Sequence, residues 1–498
     1  MLTTLKLLSY LICLLIFHTT YTHAQEHSYL DKKFTTQELL EDFTVFRQSL
    51  EESHPGLYWS STKAEMDSCF GQHLATIDHP MTEREFFPTL SELTAQVNCL
   101  HTTIAPSETM GEVYFTDSLR YFPLDLKILN GKGYIYRNVS EVESIPLGVE
   151  VVSINETPMD SIIARLLTHT SSDGHQKGWA SYFLQSVFYV RYKYLIDDSD
   201  QFRLVVKEPN GSLADYQLAG LSYPQRDSIR GERYGTTNNE RPWIQWSIDK
   251  EASTATLKIP RFANWEIDGK KYKFKKVLAR SMDEILEAEV DNLILDVGDR
   301  GGGNEDYGLS LLSYFLSEPF AGYKAIEFKN KKLNSRKYSE VSWLRYKLFR
   351  MMTRFEVTDS TYLLKRAAGY KRVLGTVQPA SERFTGNIFL LVGRSTASAT
   401  SDFAAWMHSL GLATIIGEET GGNYYGNTSN WEFNITLPNT KIRLLLPLAR
   451  YLTNVKPDIP LGRGIIPDHL VSPTIEDFLQ NKDPQHDYAV QLIEQTAQ

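Results

Sequence analysis

One stretch, residues 386–423, constrains the fold of this chain more than any other. It passes from an apolar segment through small residues into a helical pattern and a second apolar segment: GNIFLLVGRSTASATSDFAAWMHSLGLATIIGEETGGN. The first segment, Ile388 to Val392, is too short for a helix and rich in branched side chains, which predicts a buried strand. Apolar residues then recur at helical spacing until Gly411, and Ala413 to Ile416 predict another strand. The stretch therefore predicts a strand, a tight turn, a helix and a strand.

The small residues at this turn have two interpretations. A small side chain leaves backbone N–H groups exposed at a helix N-terminus, where they stabilise an oxyanion and support an exposed serine. Alternatively, the serines and threonines only cap the helix, which is their most common role at such a position. The stretch alone favours neither interpretation.

The first 24 residues are predicted to be a secretory signal peptide. Lys6 supplies the positive charge, residues 7–17 form the apolar core, and Thr22-His-Ala24 is a cleavage site before Gln25. The core is shorter than the ~20 residues that a membrane-spanning helix needs. We therefore expect an exported protein, periplasmic or extracellular, without stable membrane insertion after cleavage.

The remaining chain is too long for one ordinary domain and is predicted to be α/β and multi-domain. Helical periodicity and a capping box at Thr82-Glu-Arg-Glu85 predict an N-terminal helical domain, residues 25–105. Residues 106–240 read as a β-rich domain with an insertion, and residues 241–498 as an α/β core domain. The formal charge of −9 argues against a nucleic-acid partner.

The stretch 386–423 resembles the signature of the C-terminal processing (tail-specific) serine peptidases, a family that includes the tricorn-like proteases. Their small-residue run and their G-E-x-T-x-G strand end correspond to Thr396–Thr400 and Gly417–Gly422 here. The shared register places the family's nucleophile at Ser398. The resemblance implies a peptidase core of stacked short sheets and helices, of the crotonase or Clp-protease type. It also implies a peptide or protein substrate and no cofactor or metal.

Two departures from the family concern the catalytic base. Asn423 stands where the tail-specific enzymes carry their lysine, and an asparagine cannot accept a proton. The helices around His54-Pro55 and the closing His101-Thr102 resemble the N-terminal region of tricorn-like peptidases, whose histidine at this place is the general base. That resemblance implies His101 as the base, although a lone loop histidine is more often structural.

The acid that would orient this histidine is left open by the sequence. Leu461 stands where tricorn-like relatives carry a glutamate. Asp458, Glu418 and Glu419 are the remaining candidates, with no basis for a choice among them.

A glycine-rich loop, Asp299 to Asn304, follows a predicted strand at Asn292 to Val297. It lacks the spacings of the nucleotide-binding glycine motifs, so a nucleotide site is weakly supported. The family resemblance implies that its backbone N–H groups contribute to an oxyanion hole, with Gly302 or Gly303 acting beside Ala399.

The segment Pro146 to Asn155 and the helix predicted after it resemble a PDZ-like domain, interrupted by an aromatic-rich insertion at Ser171 to Tyr194. Such a domain holds an extended peptide against a strand edge. The alternative is a β-rich packing domain that binds no peptide.

The two cysteines and a basic segment allow only weaker predictions. Cys69 and Cys99 either pair, as an exported protein allows, or remain buried thiols, and the sequence does not choose. Residues 329–372 are basic and aromatic and read as an insertion or lid with a solvated face.

Two functions from different classes follow. The chain is either a serine peptidase that uses Ser398 with a histidine base, or a catalytically inactive relative that binds peptide or another ligand in the same cleft.

Overall fold

The computed structural model describes residues 29–116, 119–235, 242–267, 269–298, 301–330, 333–358 and 361–496. The predicted signal peptide lies outside these residues. Within the described ranges, none of the helices combines the length and the apolar character that crossing a bilayer requires.

The N-terminal region is helical, as its periodicity predicts. Its three long helices each begin at a capping box, in which a threonine and a glutamate three residues later satisfy each other's backbone N–H groups. The elements in chain order are β1 (Lys33–Phe34), α1 (Thr36–Ser53), α2 (Lys63–Leu74), β2 (Met81–Thr82), α3 (Glu83–Gln96), β3 (Thr103–Ala105) and α4 (Glu108–Tyr114).

The middle region is an antiparallel sheet covered by helices. Its strands are ordered β4-β5-β6-β8-β9, with β7 paired to β6. The elements are β4 (Leu124–Leu129), β5 (Lys132–Asn138), β6 (Glu150–Ile154), β7 (Thr157–Pro158), α5 (Met159–Thr168), α6 (Gly178–Leu195), β8 (Gln201–Lys207), β9 (Leu213–Ala219) and α7 (Tyr223–Tyr234). The aromatic insertion is largely α6, whose Phe188 and Tyr192 are buried against the Phe122 ring. These two side chains therefore belong to the core, whereas Phe183 of the same helix is exposed. The PDZ-like assignment stays a prediction.

In its described residues, the C-terminal region contributes to four further sheets, one of which is the two-stranded β12–β13 pair. Its elements are β10 (Gln245–Asp249), β11 (Thr254–Lys258), β12 (Trp265–Ile267), β13 (Lys270–Tyr272), α8 (Phe274–Glu287), β14 (Asn292–Asp296), α9 (Glu305–Leu312), β15 (Tyr323–Phe328), a 3-10 turn (Asn334–Tyr338), α10 (Trp343–Met352), β16 (Arg354–Val357), β17 (Tyr362–Arg366), β18 (Asn387–Val392), α11 (Ala399–Ser409), β19 (Thr414–Gly417), β20 (Gly426–Ser429), β21 (Phe433–Thr436), β22 (Arg443–Leu446), β23 (Ala449–Thr453), β24 (His469–Leu470), α12 (Ile475–Gln480) and α13 (Pro484–Thr496).

The central sheet runs β10-β11-β14-β18-β19-β24, parallel except for β10. Both of its faces are covered, as expected for a parallel sheet. Leu390 and Val392 point into the main core, while Phe389 and Leu391 pack under the C-terminal helix α13. The predicted strand, turn, helix and strand of residues 386–423 form β18, α11 and β19 of this sheet.

Two smaller sheets accompany the central sheet, and one of them joins the C-terminal region to the helical region. One has the order β16-β17-β15-β23-β20, and the other has the order β21-β22-β3. In the second sheet, β3 of the helical region pairs with β22 of the core, with Ile104 opposite Leu444. This pairing fixes the chain immediately after His101 to the core region.

Candidate active site

Ser398 occupies the turn between β18 and α11 in a strained backbone conformation. Its φ is 54° and its ψ is −137°, and a positive φ is uncommon for a residue other than glycine. It stands at the N-cap position of α11, yet its side chain makes no capping hydrogen bond. Strain of this kind is typical of functional sites. The geometry therefore favours the interpretation in which Ser398 is available to a ligand over the one in which it only caps the helix.

The neighbouring hydroxyls, in contrast, have structural partners. Ser395 Oγ donates to the Gly298 carbonyl at 2.6 Å, and the Gly393 N–H donates to Thr396 Oγ1 at 3.0 Å. Thr400 Oγ1 accepts a hydrogen bond from the Gly302 N–H. Ser398 is half-buried, and among the described residues its hydroxyl has no hydrogen-bond partner.

The glycine loop lies directly beside Ser398, as the resemblance implied. A Cβ added at Gly302 would be 3.4 Å from Ser398 Cβ. At Gly303, φ is 124° and an added Cβ would stand 2.2 Å from the Phe262 carbonyl oxygen, so this position requires glycine. Asp299 and Arg300 of the loop lie outside the described residues.

The structure distinguishes between the predicted oxyanion donors. The Gly302 amide already donates to Thr400 Oγ1, so it is not free for a ligand. The Gly303 amide has no acceptor within the described part of the chain, and Gly303 is exposed. The Ala399 amide opens α11 and has no intrahelical acceptor. The backbone amides of Gly303 and Ala399 are therefore the better candidates for the two oxyanion donors.

His101 lies in a polar cluster formed by two neighbouring chain segments. The Leu100 N–H donates to Asp173 Oδ1 at 2.9 Å, Ser171 Oγ donates to the Thr102 carbonyl at 2.7 Å, and the Gly174 N–H donates to the Asn98 carbonyl at 3.1 Å. These bonds bring Cys99 Sγ, a ring nitrogen of His101 and a carboxylate oxygen of Asp173 within 4.8 Å of one another.

Two atoms of this cluster are buried without a hydrogen-bond partner among the described residues: His101 Nδ1 and Asp173 Oδ2. A buried polar atom without a hydrogen-bond partner lowers the free energy of unfolding, so such atoms usually have a partner such as a water molecule. A proton or a water molecule shared between the imidazole and the carboxyl would satisfy both atoms.

Burial sets the protonation states of the cluster. Desolvation lowers the pKa of His101 to about 4, so its imidazole is neutral at neutral pH. Burial raises the pKa of the Asp173 carboxyl to about 7, against the lowering effect of the backbone N–H groups of Leu100 and Asn423. Burial also raises the pKa of the Cys99 thiol to about 12. Although these three residue types bind zinc, such a thiol disfavours the thiolate that a metal ion needs.

A short path through the backbone joins the cluster to the Ser398 turn. The Gly422 N–H donates to the Thr396 carbonyl at 3.0 Å, two residues before Ser398. The next residue, Asn423, is buried, and its backbone N–H lies close enough to Asp173 to lower the pKa of that carboxyl. Asn423 Oδ1 accepts from the Tyr425 N–H at 3.2 Å, which is a structural role.

The three acids that the sequence left as candidates are engaged elsewhere. Glu418 pairs with Arg394 at 3.2 Å, Glu419 pairs with Arg463 at 2.7 Å, and Asp458 accepts from the Tyr424 hydroxyl at 2.8 Å. None of these described contacts involves His101.

The acid near His101 is instead Asp173, which sequence analysis missed. It lies in the segment interpreted as an aromatic insertion, and no spacing in the sequence connects it to His101. The two cysteines are both free, Cys69 half-buried and Cys99 buried, so they do not pair in this structure.

Residues 253–471 match the sequence profile of peptidase family S41. This part of the chain is therefore similar to the serine-type peptidases of that family. The match covers the central sheet from β11 to β24, the glycine loop and the Ser398 turn, and it supports the predicted kinship with the C-terminal processing and tricorn-like enzymes.

Solved structures of mature CPAF agree with the fold. The structure of mature CPAF complexed with lactacystin is 14% identical, with a TM-score of 0.63 over 93% of this chain and 98% of that chain. A second structure of mature CPAF gives the same identity and TM-score over 93% and 97%. The photosystem II D1 C-terminal processing protease is 13% identical, with a TM-score of 0.40 over 89% and 96%. At this identity, the CPAF likeness establishes the fold alone.

Proposed function

We propose that this chain is an exported serine peptidase of the S41 type that hydrolyses peptide bonds by acyl transfer through Ser398. The observation that carries the proposal is the Ser398 turn: a positive φ, an uncapped hydroxyl and an adjoining glycine loop. A serine with these features is exposed to a substrate and lies beside amides that can hold an oxyanion.

In the proposed mechanism, Ser398 Oγ attacks the substrate carbonyl while His101 takes its proton. The Gly303 and Ala399 amides stabilise the negative charge of the tetrahedral intermediate. His101 then gives the proton to the leaving amine, and water hydrolyses the acyl-enzyme with the same histidine as base. This role is supported by the neutral imidazole that burial maintains.

Asp173 is proposed as the positioning residue for His101. Its unpartnered Oδ2 belongs to the same cluster as the unpartnered His101 Nδ1, and three hydrogen bonds hold the two segments together. When His101 becomes protonated, an adjacent carboxylate would stabilise the imidazolium.

The base assignment is tested by single-turnover acylation on folded variants. We expect His101→Ala to lower the acylation rate by roughly 10²–10⁴-fold, the usual contribution of a general base. Adding Asn423→Lys should not restore the rate, because the pocket around the buried Asn423, beside Asp173, is not built to desolvate an amine into its neutral form. His79→Ala, at an exposed histidine, is the matched control. A folded His101→Ala protein with near wild-type acylation would refute the role of His101.

The competing function is ligand binding without catalysis, favoured by Asn423 in place of the family's lysine. It predicts that Ser398→Ala leaves peptide binding intact and that neither protein hydrolyses peptide. If the wild type hydrolyses peptide and Ser398→Ala does not, the result supports the peptidase function.

Export is tested separately by peptide mapping of the purified native protein. We expect its N-terminus at or near Gln25. Recovery of residues 1–24 in the mature protein would overturn this part of the proposal.

A further inference from the structure

A helix in the basic segment presents apolar side chains to solvent. Helix α10 (Trp343–Met352) contains no buried residue. Leu344, Leu348, Met351 and Met352 are 60%, 46%, 71% and 56% exposed. With 3.6 residues per turn, these four side chains fall within one arc of about 100°. Single exposed apolar residues are ordinary, whereas contiguous exposed apolar side chains rimmed by polar residues are typical of interaction surfaces.

Basic residues flank the apolar strip. The same helical geometry places Arg345 beside one edge and Lys347 beside the other. Lys347 Nζ lies 4.7 Å from the ring centroid of Trp343, which is 59% exposed. The surrounding segment, residues 329–372, has thirteen lysines and arginines against three acidic residues, in a chain of net charge −9.

The opposite face fixes the helix to the protein. The Phe349 ring lies 6.1 Å from those of Phe328 and Trp431, and the Tyr346 ring lies 6.4 Å from that of Phe433. Ser342 Oγ accepts from the Arg345 N–H at 3.2 Å and caps the helix. The apolar strip is thus the outer face of an anchored helix.

We propose that α10 binds the surface of anionic lipid bilayers. An apolar strip with basic flanks and an exposed tryptophan fits the boundary between headgroups and acyl chains. Each lysine or arginine near an anionic surface adds attraction, so the local charge complements the bilayer although the whole chain is acidic. The helix lies on the bilayer and does not span it.

A second copy of the chain is a poorer occupant. A two-fold interface brings the same patch of both copies together, so Arg345, Lys347 and Arg350 of each copy would face like charges. A stable interface also buries about 800 Å² on each partner, which is more than one face of a three-turn helix provides.

The test is cosedimentation of the full mature chain with phosphatidylglycerol-containing vesicles and with pure phosphatidylcholine vesicles. We expect binding to the anionic vesicles only, and its loss at high salt. Arg345→Glu with Lys347→Glu should weaken binding at least tenfold, since each basic residue contributes about 1 kcal/mol. Leu348→Gln with Met351→Gln should also weaken it.

The matched control is Lys271→Glu with Lys276→Glu, which changes the net charge equally at exposed residues of β13 and α8. Circular dichroism and urea unfolding confirm that each variant is folded. Because binding is the readout, the test does not depend on peptidase activity.

Three outcomes would overturn the proposal. The first is that the wild type does not bind anionic vesicles, and the second is that the control variant weakens vesicle binding as much as Arg345→Glu with Lys347→Glu does. The third is that the wild type forms a dimer, that Leu348→Gln with Met351→Gln dissociates this dimer, and that neither form binds vesicles. The last outcome would assign the apolar strip to self-association.

Discussion

At the residue scale, the site depends on backbone conformations that few side chains tolerate. Ser398 adopts a positive φ, and Gly302 and Gly303 adopt positive φ values next to it. At positive φ, the Cβ atom of serine is sterically unfavourable, whereas glycine has no Cβ atom. The conformation of Ser398 is maintained because Ser395, Thr396 and Thr400 tie the turn to the core and to the glycine loop.

Gly303→Ala tests the oxyanion role of the glycine loop. The added Cβ would stand 2.2 Å from the Phe262 carbonyl oxygen, so the loop must move and the Gly303 amide with it. We expect the acylation rate to fall by roughly 10²–10³-fold, as when one oxyanion donor is lost. Gly211→Ala, at a positive-φ glycine with nothing within 4 Å, controls for backbone strain alone. Equal activity of the two variants would exclude this role.

The pH dependence tests Asp173. Its pKa is raised to about 7, so the carboxylate that supports a protonated His101 is present above that pH and is lost below it. The acylation rate should therefore rise as pH increases through about 7, and Asp173→Asn should remove this step and lower the high-pH rate.

Two other titratable groups face Asp173, and they provide the control for that profile. Cys99 is an uncharged thiol at these pH values, whereas burial raises the pKa of Asp402 to about 8. Asp402→Asn should keep the step near pH 7. If the step disappears in Asp402→Asn and persists in Asp173→Asn, Asp173 is not the positioning residue.

At the scale of elements, the sequence predicted the central motif well because its periodicity is local. The predicted strand Ile388 to Val392 is β18 (Asn387–Val392), and the predicted strand Ala413 to Ile416 is β19 (Thr414–Gly417). Small side chains and Gly411 mark the helix ends in the sequence itself. Asp173 could not be predicted, because only tertiary packing brings it to His101.

The first turn of α11 also carries a buried polar network. Asp402 accepts from the Tyr323 hydroxyl at 2.7 Å and from Asn427 Nδ2 at 3.1 Å. Asp402→Ala would leave both donors unsatisfied, and each such group costs about 1–3 kcal/mol. We expect a loss of that size in the free energy of unfolding, measured by urea denaturation.

Asp402→Asn keeps an acceptor for these donors and should lose less stability. Asp487→Ala, in the first turn of α13, is the control for a surface position. If Asp402→Ala unfolds no more easily than Asp487→Ala, the network does not stabilise α11.

At the scale of the whole molecule, the proposed site combines distant parts of the chain. In the proposed mechanism, the helical region supplies His101, the start of the aromatic insertion supplies Asp173, and the core supplies the glycine loop and Ser398. The β3–β22 pairing and the hydrogen bond between Gly422 and Thr396 hold these parts together. The family resemblance predicted the fold class and the serine peptidase assignment. The partners of Glu418, Glu419 and Asp458 depend on three-dimensional packing and were beyond prediction.

The central claim is that Ser398 is the nucleophile. The most direct measurement is mass spectrometry of peptides from the protein treated with a fluorophosphonate probe, at neutral pH where His101 is neutral. We predict a covalent adduct on Ser398 in the wild type and none in Ser398→Ala, with Ser401→Ala, a buried serine of the same helix, labelled on Ser398 as in the wild type. An adduct on another residue, or equal labelling of the wild type and Ser398→Ala, would contradict the account.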